Sequence, residues 1–279
     1  MISWWEAVLL GIVEGVTEFL PISSTGHLTI VEKLLGHQID DPSITAFTAI
    51  IQIGAMIASI VYFWSDIVGI VVAWFAGLRD KAARDAPGYR LGWAVIAGFL
   101  PTVVIALALQ KFIEGPLRSL WAVVVGLVVW SVVMYLGDRL GKRDRGEDAI
   151  TVKDGVLLGV IQSIALVPGV SRSGATISGG MLMGLDRVAA TRMSFFLGIP
   201  TLVASGGYEA VKEASAISEG AGWLATGIGT AVSFVVAYAS IAWLLRYVSR
   251  HTFTAFIIYR LALAALIAGL LLSGFITAR

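Results

Sequence analysis

Long runs of apolar residues, separated by short polar segments, dominate the chain. A hydrocarbon core of about 30 Å is crossed by about 20 helical residues, so a run of that length predicts a membrane-spanning helix. Six runs qualify: 46–65 (with an apolar continuation to about 77), 91–110, 119–138, 192–211, 222–245 and 254–275. The pattern therefore predicts an all-α polytopic membrane protein with six transmembrane helices.

Two further apolar runs are interrupted before they reach spanning length. Residues 3–20 and 155–167 each lead into a cluster of Pro, Ser and Gly, and each cluster is followed by a second short apolar run, 25–35 or 174–184. Proline stops one helix, and Ser or Thr can cap the next. Each pair of runs is therefore predicted to form a re-entrant helical hairpin.

The two hairpins resemble each other at a spacing of 148 residues. The matched segments are 8–11 with 156–159 (VLLG in both) and 23–26 (SSTG) with 171–174 (SRSG), and Glu14 falls on Gln162. Each half of the chain, about 1–138 and 139–279, then consists of one hairpin and three spans within a single integral-membrane domain. Because three is odd, the second half enters the membrane from the opposite side, which predicts an inverted-topology repeat.

Basic residues predict the orientation, because Lys and Arg favour cytoplasmic loops. Thirteen of the 20 basic residues fall in the four segments on one predicted side, which are 79–90, 139–153, 185–192 and 246–251. Five lie on the other side, and Arg172 and Arg260 lie inside the membrane region. Both termini are thus predicted outside, and the tips of the two hairpins are expected to meet near the middle of the membrane.

Composition narrows the class of protein. The chain is 57% hydrophobic and only 14% charged, against about 25% charged in soluble domains, which excludes a conventional soluble enzyme. A net charge of +1 without a basic tract gives nucleic acid no electrostatic footprint. The absence of cysteine excludes thiolate zinc sites, cysteine-ligated iron–sulfur clusters and cysteine nucleophiles.

Two acidic residues interrupt the apolar run of the first hairpin. Glu14 and Glu18 are four residues apart, so a helix places them on one face. Removing a carboxylate from water costs on the order of several kcal/mol unless it is paired, so an intramembrane acid indicates a functional site. The pair could share a proton, bind a metal ion or supply a base, or it could face a wet crevice for structural reasons.

A cluster of hydroxyls follows the acidic pair. Ser23, Ser24, Thr25 and Gly26 lie where a new helix is expected to begin, and His27 comes three residues after Ser24. The N–H groups and positive dipole end of a helix N-terminus suit phosphate oxygens. Plain helix capping would explain the serines alone, but a hydroxyl nucleophile with a nearby base and two acids favours catalysis.

The second cluster, PGVSRSGAT at 168–176, contains an arginine. The permanent charge of Arg172 requires a partner in the membrane, and its planar guanidinium suits a carboxylate or a phosphate. A structural salt bridge to Glu14 or Glu18 and a shared contact with a substrate phosphate both remain open. The residues expected to bind substrate are Ser23, Thr25 and Gly26 of the first cluster and Ser171, Ser173, Gly174 and Thr176 of the second. The two clusters together predict a phosphate-handling site inside a bilayer, for a substrate with a phosphate head and a lipid tail.

The motifs EGVTEFLPISSTGH (14–27) and PGVSRSGAT (168–176) resemble the two signatures of the bacterial undecaprenyl-diphosphate phosphatase family, the bacitracin-resistance type. The resemblance runs along the whole chain and includes GGMLMG at 179–184. It implies an enzyme of the bacterial cytoplasmic membrane that converts undecaprenyl diphosphate to undecaprenyl phosphate and inorganic phosphate. This reaction would recycle the lipid carrier of peptidoglycan synthesis and confer bacitracin resistance. A divalent cation, Mg²⁺ or Ca²⁺, is also implied by the resemblance, with Glu14 and Glu18 as its candidate ligands.

The residues that match the family's catalytic positions are Glu14, Glu18, Ser24, His27 and Arg172. In our hypothesis Ser24 attacks the terminal phosphorus, His27 or Glu18 takes its proton, and Arg172 with the two helix N-termini holds the phosphoryl oxygens. Glu14 would support Glu18 by sharing a metal or a proton. Attack by an activated water molecule is the alternative to the serine nucleophile.

A transporter or flippase for a polyprenyl phosphate, or for another phosphate-bearing substrate, is the competing function class, because inverted repeats with broken helices are a transporter architecture. For the enzyme, the resemblance and the first hairpin favour an active site that opens to the outer, periplasmic side. The preferred polyprenyl chain length and the oligomeric state, with a homodimer as one option, stay open at this point.

Overall fold

A computed structural model of the chain describes residues 2–38, 41–114, 117, 119–212 and 221–278. Within these residues the chain forms eleven α-helices and no β-strand. The helices are α1 (Trp4–Thr17), α2 (Ser24–Leu34), α3 (Pro42–Tyr62), α4 (Trp64–Arg79), α5 (Pro87–Glu114), α6 (Leu120–Leu140), α7 (Val152–Ser163), α8 (Arg172–Leu182), α9 (Arg187–Lys212), α10 (Trp223–Val248) and α11 (Thr254–Leu272).

Six of the described helices, namely α3, α5, α6, α9, α10 and α11, are long and apolar enough to cross a membrane. They coincide with the six predicted spanning segments, so that prediction is confirmed. The apolar continuation after the first span forms the separate helix α4, because the chain bends at Phe63. Among the basic residues on the predicted outer side, Arg118 and Arg279 lie outside the described residues.

The helices that precede the two turns are short. At 1.5 Å per residue, α1 and α7 measure about 21 and 18 Å, less than the thickness of a hydrocarbon core. Each begins with a capping box, formed by Ser3 with Glu6 in α1 and by Thr151 with Asp154 in α7. In a capping box two side chains satisfy N–H groups that a helix start leaves unpaired. Helix α2 then packs against α1, and α8 packs against α7.

Small residues bring each short helix close to a long one. A Cβ on Gly11 of α1 would lie 2.5 Å from the carbonyl oxygen of Gly229 in α10. A Cβ on Gly159 of α7 would lie 1.9 Å from the carbonyl oxygen of Gly98 in α5. Glycine permits this backbone contact, as small residues commonly do between membrane helices. The short helices α1 and α7 therefore pack closely against the spanning helices α10 and α5.

The largest apolar core lies around the two turns. It includes Phe19 and Leu20 before α2, Val170 before α8, and Phe195 of α9. Phe19 and Phe195 meet edge to face with ring centroids 5.4 Å apart, a favourable arrangement for aromatic rings. The polar residues of the turns are therefore set in a packed apolar surrounding rather than in a flexible loop.

Candidate active site

The first turn presents the start of α2 through an unusual backbone conformation. Ser23, the residue before the helix, has φ 77° and ψ 98°, and its hydroxyl accepts a hydrogen bond from the N–H of Gly26 at 3.4 Å. Positive φ is uncommon outside glycine, and such conformations cluster at functional sites. The next N–H groups, at the beginning of α2, have no partner within a helix and can face a ligand.

The second turn repeats this conformation. Ser171 has φ 75° and ψ 122°, and its hydroxyl accepts from the N–H of Gly174 at 3.2 Å. Helix α8 therefore begins as α2 does. Since the N-terminus of a helix carries a partial positive charge, two sites favourable for an anion lie at the two turns.

Glu18, Ser24 and Arg172 form one cluster between the two turns. The Ser24 hydroxyl donates to Glu18 Oε2 at 2.7 Å, and Arg172 Nη2 donates to Glu18 Oε1 at 3.3 Å. Gln52 of α3 also donates to Glu18 Oε2, at 3.4 Å. The structure thus brings the two sequence motifs together, and the acid that pairs with Arg172 is Glu18.

The guanidinium of Arg172 is held from the side of α9. Its Nη1 donates to the carbonyl oxygen of Ser194 at 3.2 Å. A Cβ on Gly198 would lie 1.7 Å from Nη1, so a side chain at that position would displace the guanidinium. The Nε of Arg172 is a buried donor without a hydrogen-bond partner among the described residues.

The side chain of Glu14 interacts electrostatically with those of Glu18 and Arg172 but makes no hydrogen bond to them among the described residues, and Glu14 is only 1% exposed. Its Oε1 has no hydrogen-bond partner among the described residues. Glu14 lines a cavity of about 230 Å³ together with Glu32, Thr48 and Gln52, which we call the acidic cavity. The Thr48 hydroxyl donates to Glu32 Oε1 at 3.1 Å. The two acids of the first motif therefore face different spaces.

Glu18 faces a second cavity of about 530 Å³, which we call the large cavity. Glu18, Ser24 and Arg172 line it together with apolar side chains of α5 and α9, among them Phe99 and Leu202. Ser23, Thr25 and Ser171 also line it. The acidic and large cavities share Ser24, Thr25, Gln52 and Pro168 in their walls. A space with a charged group and a long apolar wall suits a lipid that carries a phosphate.

His27 is turned away from Ser24. Its Nδ1 is hydrogen-bonded to the carbonyl oxygen of Ser23 and its Nε2 to the hydroxyl of Tyr259, each at 2.7 Å. The rings of His27 and Tyr259 are nearly parallel. Of the two bases considered from the sequence, Glu18 is the one in contact with the Ser24 hydroxyl. His27 ties the start of α2 to α11.

The remaining hydroxyls of the second motif are bonded within the protein. Ser173 and Thr176 are fully buried; Ser173 donates to the carbonyl oxygen of Leu20 at 3.1 Å, and Thr176 donates to the carbonyl oxygen of Arg172 at 2.9 Å. Ser173 thereby links the second hairpin to the first turn. These two side chains hold the turns in place, and the residues of this motif that line the large cavity are Pro168, Gly169, Ser171 and Arg172.

The sequence did not predict that several other residues belong to the site. Gln52, Glu32 and Tyr259 carry no motif, and Gly198 is one of 31 glycines. Arg260 gave a signal as a charge inside a predicted span, but the sequence offered no partner for it. Among the described residues, no group of three Asp, Glu, His or Cys side chains forms a metal-binding arrangement.

Comparison with known proteins gives a consistent result. The family described as bacitracin resistance protein BacA matches residues 7–266. A protein of Frankia casuarinae named undecaprenyl-diphosphatase 3 is 54% identical over 98% of both chains. The undecaprenyl-diphosphatase of Cutibacterium acnes is 55% identical over 99% of this chain and 100% of its own. Undecaprenyl-diphosphatase 1 of Streptomyces coelicolor is 54% identical over 98% of both chains.

Proposed function

The chain belongs to the bacitracin resistance protein BacA family and, like its relatives named undecaprenyl-diphosphatase, dephosphorylates undecaprenyl diphosphate; we propose here how its residues perform that reaction. It is a multi-pass membrane hydrolase with six apolar spanning helices. The hydrogen bond from Ser24 to Glu18, beside Arg172, is the observation that carries the mechanism.

In the first step Ser24 Oγ attacks the terminal phosphorus while its proton passes to Glu18. The bond between that phosphorus and the bridging oxygen breaks, so undecaprenyl phosphate leaves and a phosphoserine forms. The 2.7 Å hydrogen bond between Ser24 Oγ and Glu18 supports this step, because a base in contact with the hydroxyl can take its proton during attack. Glu18 passes the proton taken from Ser24 to the leaving phosphate oxygen, and its carboxylate then takes a proton from water. The water oxygen attacks the phosphorus of the phosphoserine, the bond from phosphorus to Ser24 Oγ breaks, and Glu18 returns the proton to Oγ as inorganic phosphate leaves. Direct attack by water activated by Glu18 is the alternative.

Arg172 and the two helix starts stabilise the charge on the transferred group. Phosphoryl transfer depends mainly on positioning and on neutralising the equatorial oxygens. The Nε of Arg172 is an unused donor, and the N–H groups that begin α2 and α8 approach from two sides. The paired Glu18 also keeps the guanidinium oriented in the absence of substrate.

The large cavity is the proposed seat of the lipid. Its apolar wall is formed by residues in the C-terminal halves of α5 and α9, including Leu107 and Tyr208. The basic segments 79–90 and 185–192 precede these helices, so their C-terminal halves are predicted to lie in the outer leaflet. We therefore propose that the diphosphate enters from the outer, periplasmic side of the cytoplasmic membrane. The released undecaprenyl phosphate would again serve as the lipid carrier in peptidoglycan synthesis.

The acidic cavity is the proposed seat of the divalent cation. Mg²⁺ and Ca²⁺ prefer carboxylate and amide oxygens, and Mg²⁺ often binds through one or two carboxylates plus substrate phosphate. Glu14, Glu32 and Gln52 supply such oxygens, and the buried Glu14 Oε1 lacks a partner among the described residues. A bound cation would offset the charge of the diphosphate and of the acids. Binding of Mn²⁺ to the purified protein, followed by electron paramagnetic resonance, should weaken in Glu32→Gln and stay unchanged in Glu147→Gln.

We also propose that the two hairpins are re-entrant and related by an inverted repeat. Three features that recur at the spacing of 148 residues support it. The capping boxes at Ser3 and Thr151, the positive φ at Ser23 and Ser171, and the glycine contacts at Gly11 and Gly159 correspond in this way. Because three spanning helices lie between the two hairpins, the hairpins would then enter the membrane from opposite faces.

The decisive experiment measures phosphate release from undecaprenyl diphosphate by the protein purified in detergent. Release without a sealed bilayer requires hydrolysis, whereas transport without hydrolysis would yield no phosphate. Acid quenching with substrate labelled on the terminal phosphate should trap label on the wild-type protein and none on Ser24→Ala. Arg172→Ala should lower kcat about 100-fold to 1,000-fold, the usual effect of removing a charge-stabilising donor. Near-normal phosphate release by Ser24→Ala would refute the serine nucleophile.

A further inference from the structure

Arg260, in the middle of α11, is a buried arginine without an acidic partner among the described residues. Its side chain is 0% exposed. Among the described residues its hydrogen bonds all go to carbonyl or hydroxyl oxygens. An intramembrane guanidinium is costly and usually marks a function. The mechanism described above does not use this residue.

The guanidinium of Arg260 joins the two turns of the active site. Its Nη1 donates to the carbonyl oxygen of Pro21 at 3.1 Å, in the first turn, and its Nη2 donates to that of Gly169 at 2.9 Å, in the second turn. Pro21 lies three residues after Glu18, and Gly169 lies three residues before Arg172. One side chain thus spans the gap between the halves of the catalytic cluster.

The same guanidinium is anchored on α6. Its Nε donates to the hydroxyl of Ser131 at 3.1 Å, and its Nη2 also approaches the carbonyl oxygens of Gly126 and Leu127, each at 3.3 Å. Helix α6 packs against both α8 and α11. The broken backbone leaves carbonyl groups without helical partners, and Arg260 satisfies one in each turn.

The neighbouring residue acts on the same hairpin. Tyr259 is hydrogen-bonded to His27 Nε2 at 2.7 Å, and His27 Nδ1 contacts the Ser23 carbonyl oxygen. Consecutive residues of α11 therefore hold the first turn at Pro21 and the start of α2 at His27. Both turns are therefore held by α11, and none of the described residues of α11 lines the large cavity.

We propose that Arg260 is a positioning residue, which sets the distance between the two turns so that Ser24 with Glu18 and Arg172 act on the same phosphoryl group. The proposal rests on the mechanism given under Proposed function. Five N–H donors in a planar fork satisfy oxygens that lie in different directions, whereas a lysine ammonium has three donors on one atom. Charge alone is therefore insufficient at this position.

The test compares Arg260→Lys, Arg172→Ala and the double variant in the full-length protein purified in detergent. Arg260→Lys should lower kcat about 30-fold or more, with KM within about threefold of the wild-type value, because the apolar wall of the large cavity is intact. If Arg260 acts through the position of Arg172, the double variant should be no slower than Arg172→Ala, since the two effects are not additive. Independent, multiplied losses would indicate a general structural role and overturn the proposal.

Arg187→Lys is the matched control. It removes a guanidinium contact to Asp138 at 2.7 Å, away from both turns, and should leave kcat unchanged. If Arg260→Lys does not yield folded protein, Ser131→Ala decides instead, because it removes only the Nε contact. A kcat lowered about threefold to tenfold at an unchanged thermal midpoint supports the proposal, and a wild-type kcat refutes it. A different result would refute the mechanism itself, namely full activity of Arg172→Ala.

Discussion

The proposed catalytic cluster of Glu18, Ser24 and Arg172 packs against a glycine, a residue without a side chain. Arg172 reaches Glu18 along a path that passes over the Cα of Gly198, where any side chain would occupy the position of Nη1. The backbone of α9 is therefore part of the site, and the carbonyl oxygen of Ser194 on the same helix accepts from Nη1. An arginine in this setting is oriented before the substrate arrives.

Gly198→Ala should therefore displace the guanidinium of Arg172 without removing any catalytic group. We expect kcat to fall about 10-fold to 100-fold, because misplacing a charge-stabilising donor by about 1 Å can cost that much. The measurement is the steady-state rate of phosphate release from undecaprenyl diphosphate. Gly207→Ala on the same helix is the control, since a Cβ there meets nothing within 4 Å. Equal rates for the two variants would contradict the assigned role of Gly198.

The sequence identified Glu14, Glu18, Ser24 and Arg172 as candidates, but it could not assign their partners. Four-residue spacing predicted that Glu14 and Glu18 act together, and they interact electrostatically; it could not predict that Glu18 bonds to Ser24 and Arg172 or that Glu14 lines a cavity with Glu32. The contact of His27 with Tyr259 joins residues 232 positions apart. Contacts of this kind depend on the packing of distant helices, which local spacing does not contain.

At the scale of elements, the short helices depend on close backbone contact with long ones. Helix α7 lies so near α5 that Gly155 and Gly159 each face a backbone carbonyl, those of Ala94 and Gly98. Thr102 of α5 donates to the carbonyl oxygen of Gly159 at 3.0 Å, which reinforces the contact. Hydropathy predicted where these helices begin and end, but not which helices they would meet.

Gly159→Ala should force α7 and α5 apart, because its Cβ would lie 1.9 Å from the Gly98 carbonyl oxygen, on a backbone that cannot rotate away. We expect a loss of about 1–3 kcal/mol in stability, the usual cost of overpacking. Thermal unfolding in detergent, followed by far-ultraviolet circular dichroism, measures the effect. The control is Gly69→Ala in α4, where nothing lies within 4 Å of the added Cβ. An unchanged midpoint for Gly159→Ala would show that the helices are less tightly packed than described.

For the whole molecule, hydropathy predicted the six spanning helices, and the structure confirms them. The sequence treated 65–77 as a continuation of the first span, whereas the structure ends α3 at Tyr62 and starts α4 at Trp64. No proline or glycine marks the bend at Phe63, so composition alone could not reveal it. Phe63 instead packs against Phe195 and Phe196 of α9, which fixes the end of α3 by tertiary contact.

The proposed topology places residues 145 and 212 on opposite sides of the membrane. The chain has no cysteine, so Arg145→Cys and Lys212→Cys each introduce a single thiol. In intact cells an impermeant maleimide should label the cysteine at 212 and leave that at 145 unlabelled until the cells are broken. Phosphate release by each variant checks that it is folded. Labelling of both thiols from outside would exclude the inverted arrangement.

In the proposed mechanism the two adjoining cavities would separate the products by their solubility. The large cavity continues into apolar walls of α5 and α9, while the acidic cavity is lined by Glu14, Glu32 and the hydroxyl of Thr48, and they share Ser24 in their walls. Cleavage at that shared wall divides an amphiphile at the junction of its two halves. Under this proposal the polyprenyl chain would stay in apolar surroundings and the released phosphate would leave through polar ones, so neither product would have to cross the medium in which it is insoluble.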